Sequence, residues 1–377
     1  MRTVIMKFPI IMAILMVAPL AVAGNDGNQV EIHGYGGWAY GRQDSDGNNY
    51  LSSTGVGDAD YVNLAVSFTS CTSEKVRLNA QVWWQHTQEE EWISVVDFAF
   101  GEYRVSDALR LRMGQVKQPF GIYTEVFDVG TIRPFFWLPQ SIYGPSGIVA
   151  EAYRGVGITG STFTQSGWSF EYDLYGGELS LEAPDFAMVL DEFAADAEDA
   201  GDEEVEEELR DFMGFRVTAV VPGSAIRLGA SGYSGREETP GGDRHATLAG
   251  HLDYTGDDWL LRGEIAVMKD FLDLKSTAAY VEVARVLGKG WQVAGRWDHS
   301  HTDLGGMEVE APSSLLDHRD VTAGLNYWFH SDFVVKLSAT WVDGNRFARP
   351  EDPGAALESG TLDRTTRLVS LGAQFAF

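Results

Sequence analysis

Charged side chains in this chain recur at every second residue of segments whose other face is apolar. Lys75 and Arg77 alternate with Val76, Leu78 and Ala80; Arg110 and Arg112 alternate with Leu109, Leu111 and Met113; Lys336 interrupts the alternation of Phe333, Val335, Leu337 and Ala339. Arg216, Arg227, Arg262 and Arg296 hold equivalent positions in other segments, as do Asp97, Glu171, Asp173, Asp253, Glu264 and Asp298. Residues two apart on a strand share a face. These charges would therefore look into one enclosed space. The chemistry of such a space is electrostatic, because low-dielectric walls focus the field and the facing charges set which solute enters. Pairing among the same charges, bracing the wall, is an equally open reading.

Other chemistries find weaker patterns. Asp298-His299-Ser300-His301-Thr302-Asp303 places two histidines on one strand face without a third spaced ligand, so no metal is expected there. Gly155-Val156-Gly157-Ile158-Thr159-Gly160 spells a dinucleotide fingerprint, but no helix follows it. No cofactor is expected. Cys71 stands alone, which excludes an intramolecular disulfide framework. No spacing singles out a Ser-His or Asp-His constellation, so an enzyme is not expected.

The elements that must position the charges are strands. Alternation predicts sixteen of them: 28–43, 60–72, 75–87, 92–105, 108–117, 152–163, 167–178, 211–221, 225–235, 245–255, 258–270, 274–287, 290–302, 317–330, 332–344 and 365–377. Helical periodicity is nearly absent; a short helix is expected only around Glu203 to Arg210. Connections alternate in length. Thr72–Glu74, Ser106-Asp107, Pro222–Ser224 and Gly288-Lys289 are tight, whereas 44–59, 118–151, 179–210, 236–244, 303–316 and 345–364 are long. Sorting of this kind belongs to transmembrane barrels, with short turns on one side and long loops on the other. Trp38, Trp84, Trp92, Trp168, Trp259, Trp291, Tyr327 and Trp341 fall near strand ends, where rings with one wet edge suit a lipid–water boundary. The expected fold is all-β: a transmembrane antiparallel β-barrel of about sixteen strands. Lipid-facing arginine at the midplane would cost ~2–4 kcal/mol, which assigns the charged parity to the inside.

One connection is unlike the rest. Residues 118–151 contain four prolines and no sustained period, yet hold Phe120, Ile122, Tyr123, Val126, Phe127, Ile132, Phe135, Phe136, Trp137 and Leu138. An exposed loop would not keep so many apolar side chains. The stretch is expected to fold into the lumen and narrow it, adding Glu125, Asp128 and Arg133 to the constriction beside Lys117, Arg110 and Arg112. A basic wall opposite an acidic loop would set a transverse field across it.

Charge and the chain start bound the compartment. Arg2 and Lys7 flank an apolar run, Phe8 to Val22, ending in Ala21-Val22-Ala23. Residues 1–23 read as a secretory signal peptide, leaving 24–377 as the barrel domain. Removing its two basic residues leaves 26 basic against 55 acidic, a net charge of −29. Nucleic-acid partners are excluded, since their binders present basic surface. Thirteen of the acids lie in 179–210, expected as a solvated external loop, with divalent-cation bridging to lipopolysaccharide as the sharper alternative.

The alternating terminal segment ending at Phe377, the stretch GQVKQPFG and the later RPFFWLPQSIYG resemble Gram-negative outer-membrane porins, of the phosphate-selective O and P group. That resemblance implies passive diffusion of small hydrophilic or charged solutes, outer-membrane localisation among lipid and lipopolysaccharide, a homotrimer and an inward-folded third loop. A substrate-selective anion channel of phosphate type is the alternative, although such channels carry dense lysine and arginine and this chain is acidic. An outer-membrane barrel enzyme and a secreted β-rich binding protein are the remaining classes.

Overall fold

The computed structural model describes residues 29–45, 48, 50, 57–86, 92–144, 148–182, 206–237, 244–269, 274–305, 312–348, 360 and 362–377. The expected signal peptide, 1–23, and the acidic residues 183–205 lie outside the described residues.

Sixteen strands follow the alternation. They are β1 (Gln29–Gln43), β2 (Asp58–Cys71), β3 (Val76–His86), β4 (Ile93–Ser106), β5 (Leu109–Lys117) and β6 (Ala152–Phe163). Next come β7 (Ser169–Glu182), β8 (Glu206–Val220), β9 (Ile226–Glu237), β10 (Arg244–Thr255) and β11 (Trp259–Lys269). The last are β12 (Lys275–Gly288), β13 (Trp291–Asp303), β14 (Asp317–His330), β15 (Phe333–Asp343) and β16 (Thr365–Ala376). Every neighbour is antiparallel, and β1 pairs with β16, so the sheet closes and no edge is left. Among the described residues no helix is long and apolar enough to cross a membrane.

Period 2 sorts the two faces. On β11 the outward Leu261, Ile265 and Val267 are exposed, while the intervening Arg262, Glu264 and Ala266 are buried. Leu111 and Met113, Val281 and Val283, and Leu337 stand on the same apolar exterior. Trp259, Trp291 and Phe333 rim the short-turn end; Trp38, Trp92 and Trp341 rim the other.

The expected helix near residue 203 is not formed where it is described: residues 206–210 are strand. Leu179 and Leu181 on β7 face inward, with Leu209 of β8 paired to Leu179, so burying three leucines favours a longer hairpin. Asp211, with φ of 49°, absorbs the register shift at its base.

Residues 118–144 and 148–151 lie inside the barrel. Two single 3-10 turns, Thr124–Val126 and Gly130–Ile132, and one helical turn, α1 (Gln140–Tyr143), give them shape. A second turn, α2 (Ser313–Leu316), precedes β14. The apolar core sits between loop and wall: Phe120, Tyr123, Leu138, Ile142 and Tyr143 pack with Tyr153, Tyr175, Phe212, Tyr233 and Tyr280 of the strands.

Candidate functional site: the loop and wall of the lumen

The lumen loop meets the inward-facing side chains of the wall almost all the way round. Two glycines let it come close. Gly121, at φ +54°, passes so near the β11 carboxylate that a Cβ would lie 2.3 Å from Glu264 Oε2 and from Tyr143 Oη. On β16, a Cβ at Gly372 would lie 2.1 Å from the Phe136 ring. Tyr143 Oη donates to Glu264 Oε1 at 2.5 Å, Tyr280 Oη donates to the same oxygen at 2.6 Å, and the Ile122 amide adds a bond of 3.3 Å.

Charge meets charge on the β3–β8 side. Glu125 accepts from Arg112 Nη1 at 3.3 Å and from Arg216 Nη2. Arg112 Nε donates to Glu102 at 3.0 Å, and Arg216 Nε to Asp173 at 3.1 Å. Burial alone would raise the Glu125 pKa; Arg216 and Arg112 outweigh it and hold the carboxyl below its usual range. Beside it, Lys117 Nζ lies 2.5 Å from Asp97 and 3.3 Å from Asp128. Gln81 Nε2 donates to Asp128 at 2.8 Å. Burial works against ionised Asp128, but Lys117 and these hydrogen bonds keep its pKa low.

Charge meets carbonyl on the β13–β16 side. Lys336 is 1% exposed, and its Nζ donates to Gly130 O at 2.7 Å, Arg133 O at 2.7 Å, Phe135 O at 3.3 Å and Gln374 Oε1 at 2.6 Å. Arg296 Nη1 donates to Trp137 O at 2.9 Å and its guanidinium lies 5.0 Å from the Phe135 ring centroid. Asn326 Nδ2 donates to Pro134 O at 2.7 Å. Within the loop, Arg133 Nη1 donates to Phe127 O at 2.9 Å.

A cavity of about 250 Å³ lies between the loop and β7–β11. Glu125, Arg216, Arg227, His251, Asp253 and Arg262 are among its lining. Arg227 pairs with Glu171 at 2.5 Å, and Arg262 Nε donates to Asp253 at 2.9 Å. Arg262 Nη1 also reaches Tyr123 Oη at 2.8 Å and Ile132 O at 3.0 Å.

Ten of the charged residues singled out in the sequence thus separate. Arg112, Lys117, Glu125 and Asp128 join one band of ion pairs where the loop leaves β5. Arg133, Arg296 and Lys336 serve loop carbonyls. Arg110 is half-buried one alternation nearer the short turn, in register with Arg104 and Thr159; Arg77 is exposed opposite Glu102. Lys75 is exposed in the turn before β3, where its carbonyl accepts from Arg104 N. The sequence reading passed over Glu282, which accepts from Tyr123 Oη, and Tyr280. Both lie on the buried face of β12, so the parity that exposed Glu264 would also have exposed them.

No family model matches this chain, and no curated protein matches it. Solved structures do. An OmpF of Salmonella typhi, solved in complex with daunomycin, is 14% identical, covering 94% of this chain and 99% of its own, with a TM-score of 0.60. The outer membrane channel DcaP of Acinetobacter baumannii gives 9% identity, 94% and 99% coverage and a TM-score of 0.58. An anion-selective porin from Comamonas acidovorans gives 9%, 93% and 100% with 0.56. OmpT of Vibrio cholerae in its trimer form gives 12%, 93% and 100%, also with 0.56. At these identities the likeness is one of fold, which in this chain is a closed antiparallel β-barrel of sixteen strands.

Proposed function

We propose that the protein is an outer-membrane porin through which small hydrophilic or charged solutes diffuse passively. The observation that carries this reading is the lumen loop, which sets Glu125 against Arg112 and Arg216 beside a cavity of about 250 Å³ within a closed sixteen-strand barrel. The exterior is apolar and the lumen polar, as lipid outside and water inside demand. Residues 1–23 serve as the export signal, and the end of the barrel opposite the short turns faces outward toward lipopolysaccharide. A homotrimer fits the trimer form of OmpT of Vibrio cholerae. Around the cavity Arg216, Arg227 and Arg262 are matched by Glu125, Glu171 and Asp253, an arrangement suited to small dipolar solutes rather than to one sign of ion.

The second reading is an anion channel, of phosphate type or broader. Arg112 and Arg216 favour it, since both guanidiniums stand on the wall where the loop narrows the lumen. A planar-bilayer recording separates the two: a reversal potential near zero in a salt gradient supports the unselective porin, and a strong anion offset supports the second. Folded, reconstituted protein that passes no current would sink both.

A further inference from the structure

Between β13 and β14, against the helical turn of the lumen loop, lies a polar group that serves neither the cavity nor the loop carbonyls. Asp298 and Asp320 are opposite each other in the strand register. His318, two residues before Asp320, shares its face. The three are 0%, 1% and 2% exposed, and one ligand atom from each lies within 4.8 Å of the others.

Hydrogen bonds satisfy only part of this set. Thr322 Oγ1 donates to Asp320 Oδ1 at 3.0 Å, the Ser141 amide of α1 donates to Asp298 Oδ2 at 3.2 Å, and His318 Nε2 stands 3.3 Å from Asp320 Oδ2. Among the described residues, Asp298 Oδ1, His318 Nδ1 and the hydroxyls of Ser141 and Ser300 have no hydrogen-bond partner. The nearby cation is Arg296, 4.0 Å from Asp320, and it already serves Trp137 O. Two buried carboxylates therefore face one shared guanidinium and one imidazole. Burial of that kind is strongly disfavoured unless a positive charge completes it.

We propose that Asp298, His318 and Asp320 form a divalent-cation site that fastens the lumen loop to the wall. One nitrogen and two carboxylate oxygens suit zinc, whereas calcium and magnesium take oxygen sets. Bonds of about 2.0–2.2 Å would draw the ligand atoms together by side-chain rotation. The ion holds Asp298, and Asp298 holds the Ser141 amide, so occupancy is coupled to the seating of α1. The tandem histidines do not contribute: His299 Nδ1 lies 3.1 Å from His318 O, and exposed His301 pairs with Asp317 at 2.6 Å.

The test uses the full-length barrel folded in detergent, stripped with a chelator, dialysed against zinc and assayed for bound metal, with heat-modifiable gel mobility as the folding control. The expected result is one zinc per chain, not displaced by equimolar calcium, with affinity at least tenfold weaker in Asp298→Asn and in His318→Gln. Folded wild-type protein that takes up no zinc overturns the site. So does uptake unchanged in both folded variants, which would move the ion to His299, His301 or the acidic segment. If neither variant folds, X-ray absorption on the wild type decides: a mixed nitrogen–oxygen shell with one imidazole supports the site, and an all-oxygen shell overturns it.

Discussion

The two sides of the lumen loop are fastened by different physics. Toward β3–β8 it offers carboxylates, Glu125 and Asp128, to wall cations, Arg112, Arg216 and Lys117. Toward β13–β16 it offers bare carbonyls of 130, 133, 135 and 137 to Lys336 and Arg296. The wall residues are of one type on both sides, yet their tasks differ. An ion pair beside a water-accessible cavity contributes to the field a solute meets. A buried ammonium spent on carbonyls contributes order and leaves little for the solute.

The strongest way to break this contrast is Lys336→Met. Three carbonyls and Gln374 lose their donor in a buried place, and each unsatisfied group costs ~1–3 kcal/mol. The expected outcome is a loss of several kcal/mol, read as a lower temperature for heat-modified gel mobility, together with noisy single-channel current. A variant as stable as the parent would remove the anchoring role.

Next in size is Arg112→Ser combined with Arg216→Ser. Glu125 then loses both partners, and the reversal potential should move toward cations while conductance rises modestly. Arg110→Ser, one alternation away and without a loop contact among the described residues, should move it less. Equal shifts would spread the eyelet further along β5 than the contacts with Glu125 suggest.

Acid titration gives a smaller effect with a definite sign. The Glu125 pKa is held below its ordinary 4.5 by Arg216 and Arg112 against the pull of burial. A depressed carboxyl stabilises the folded loop above its unfolded pKa, and that stabilisation is lost as pH falls through the lowered value. The part of the selectivity that Glu125 carries, read as the difference between the parent and Glu125→Gln, should stay flat from neutral pH down through 4.5 and fade only below it. A difference already lost near pH 6 would contradict the pairing. Smallest of all, neutralising acids within 183–205 should leave selectivity almost unchanged at physiological salt, where charges more than about 8 Å apart are largely screened from one another.

How far the sequence could be read follows from which physics each feature uses. The sixteen strands were legible because an apolar exterior and a polar interior enforce period 2, and most ends moved by only one or two residues. β8 starts earlier than its pattern suggested because Leu209 reaches across to Leu179, a pairing no local window contains. The burial of residues 118–144 against the wall was legible from Phe120, Phe135 and Phe136, which need it. What each inward charge touches was not legible. Lys336 and Arg112 have the same parity, and only the path of the loop, set by Gly121 and Gly372, gives one carbonyls and the other a carboxylate. The pair Asp298 and Asp320 was likewise hidden, since register between β13 and β14 is a long-range fact.

The packing of Phe136 on Gly372 has a consequence for how the molecule is made. Gly372 lies on β16, the strand that completes the cylinder against β1, and Gln374 of the same strand closes over Gly130. The loop belongs to the first half of the chain and the seam to its end. A ring sealed beforehand would have to admit a bulky aromatic segment past Lys336 and Tyr61, which already stand against it. Insertion of the loop before sealing is the order this packing favours, and a chain with a misplaced loop is expected to stall as an open sheet.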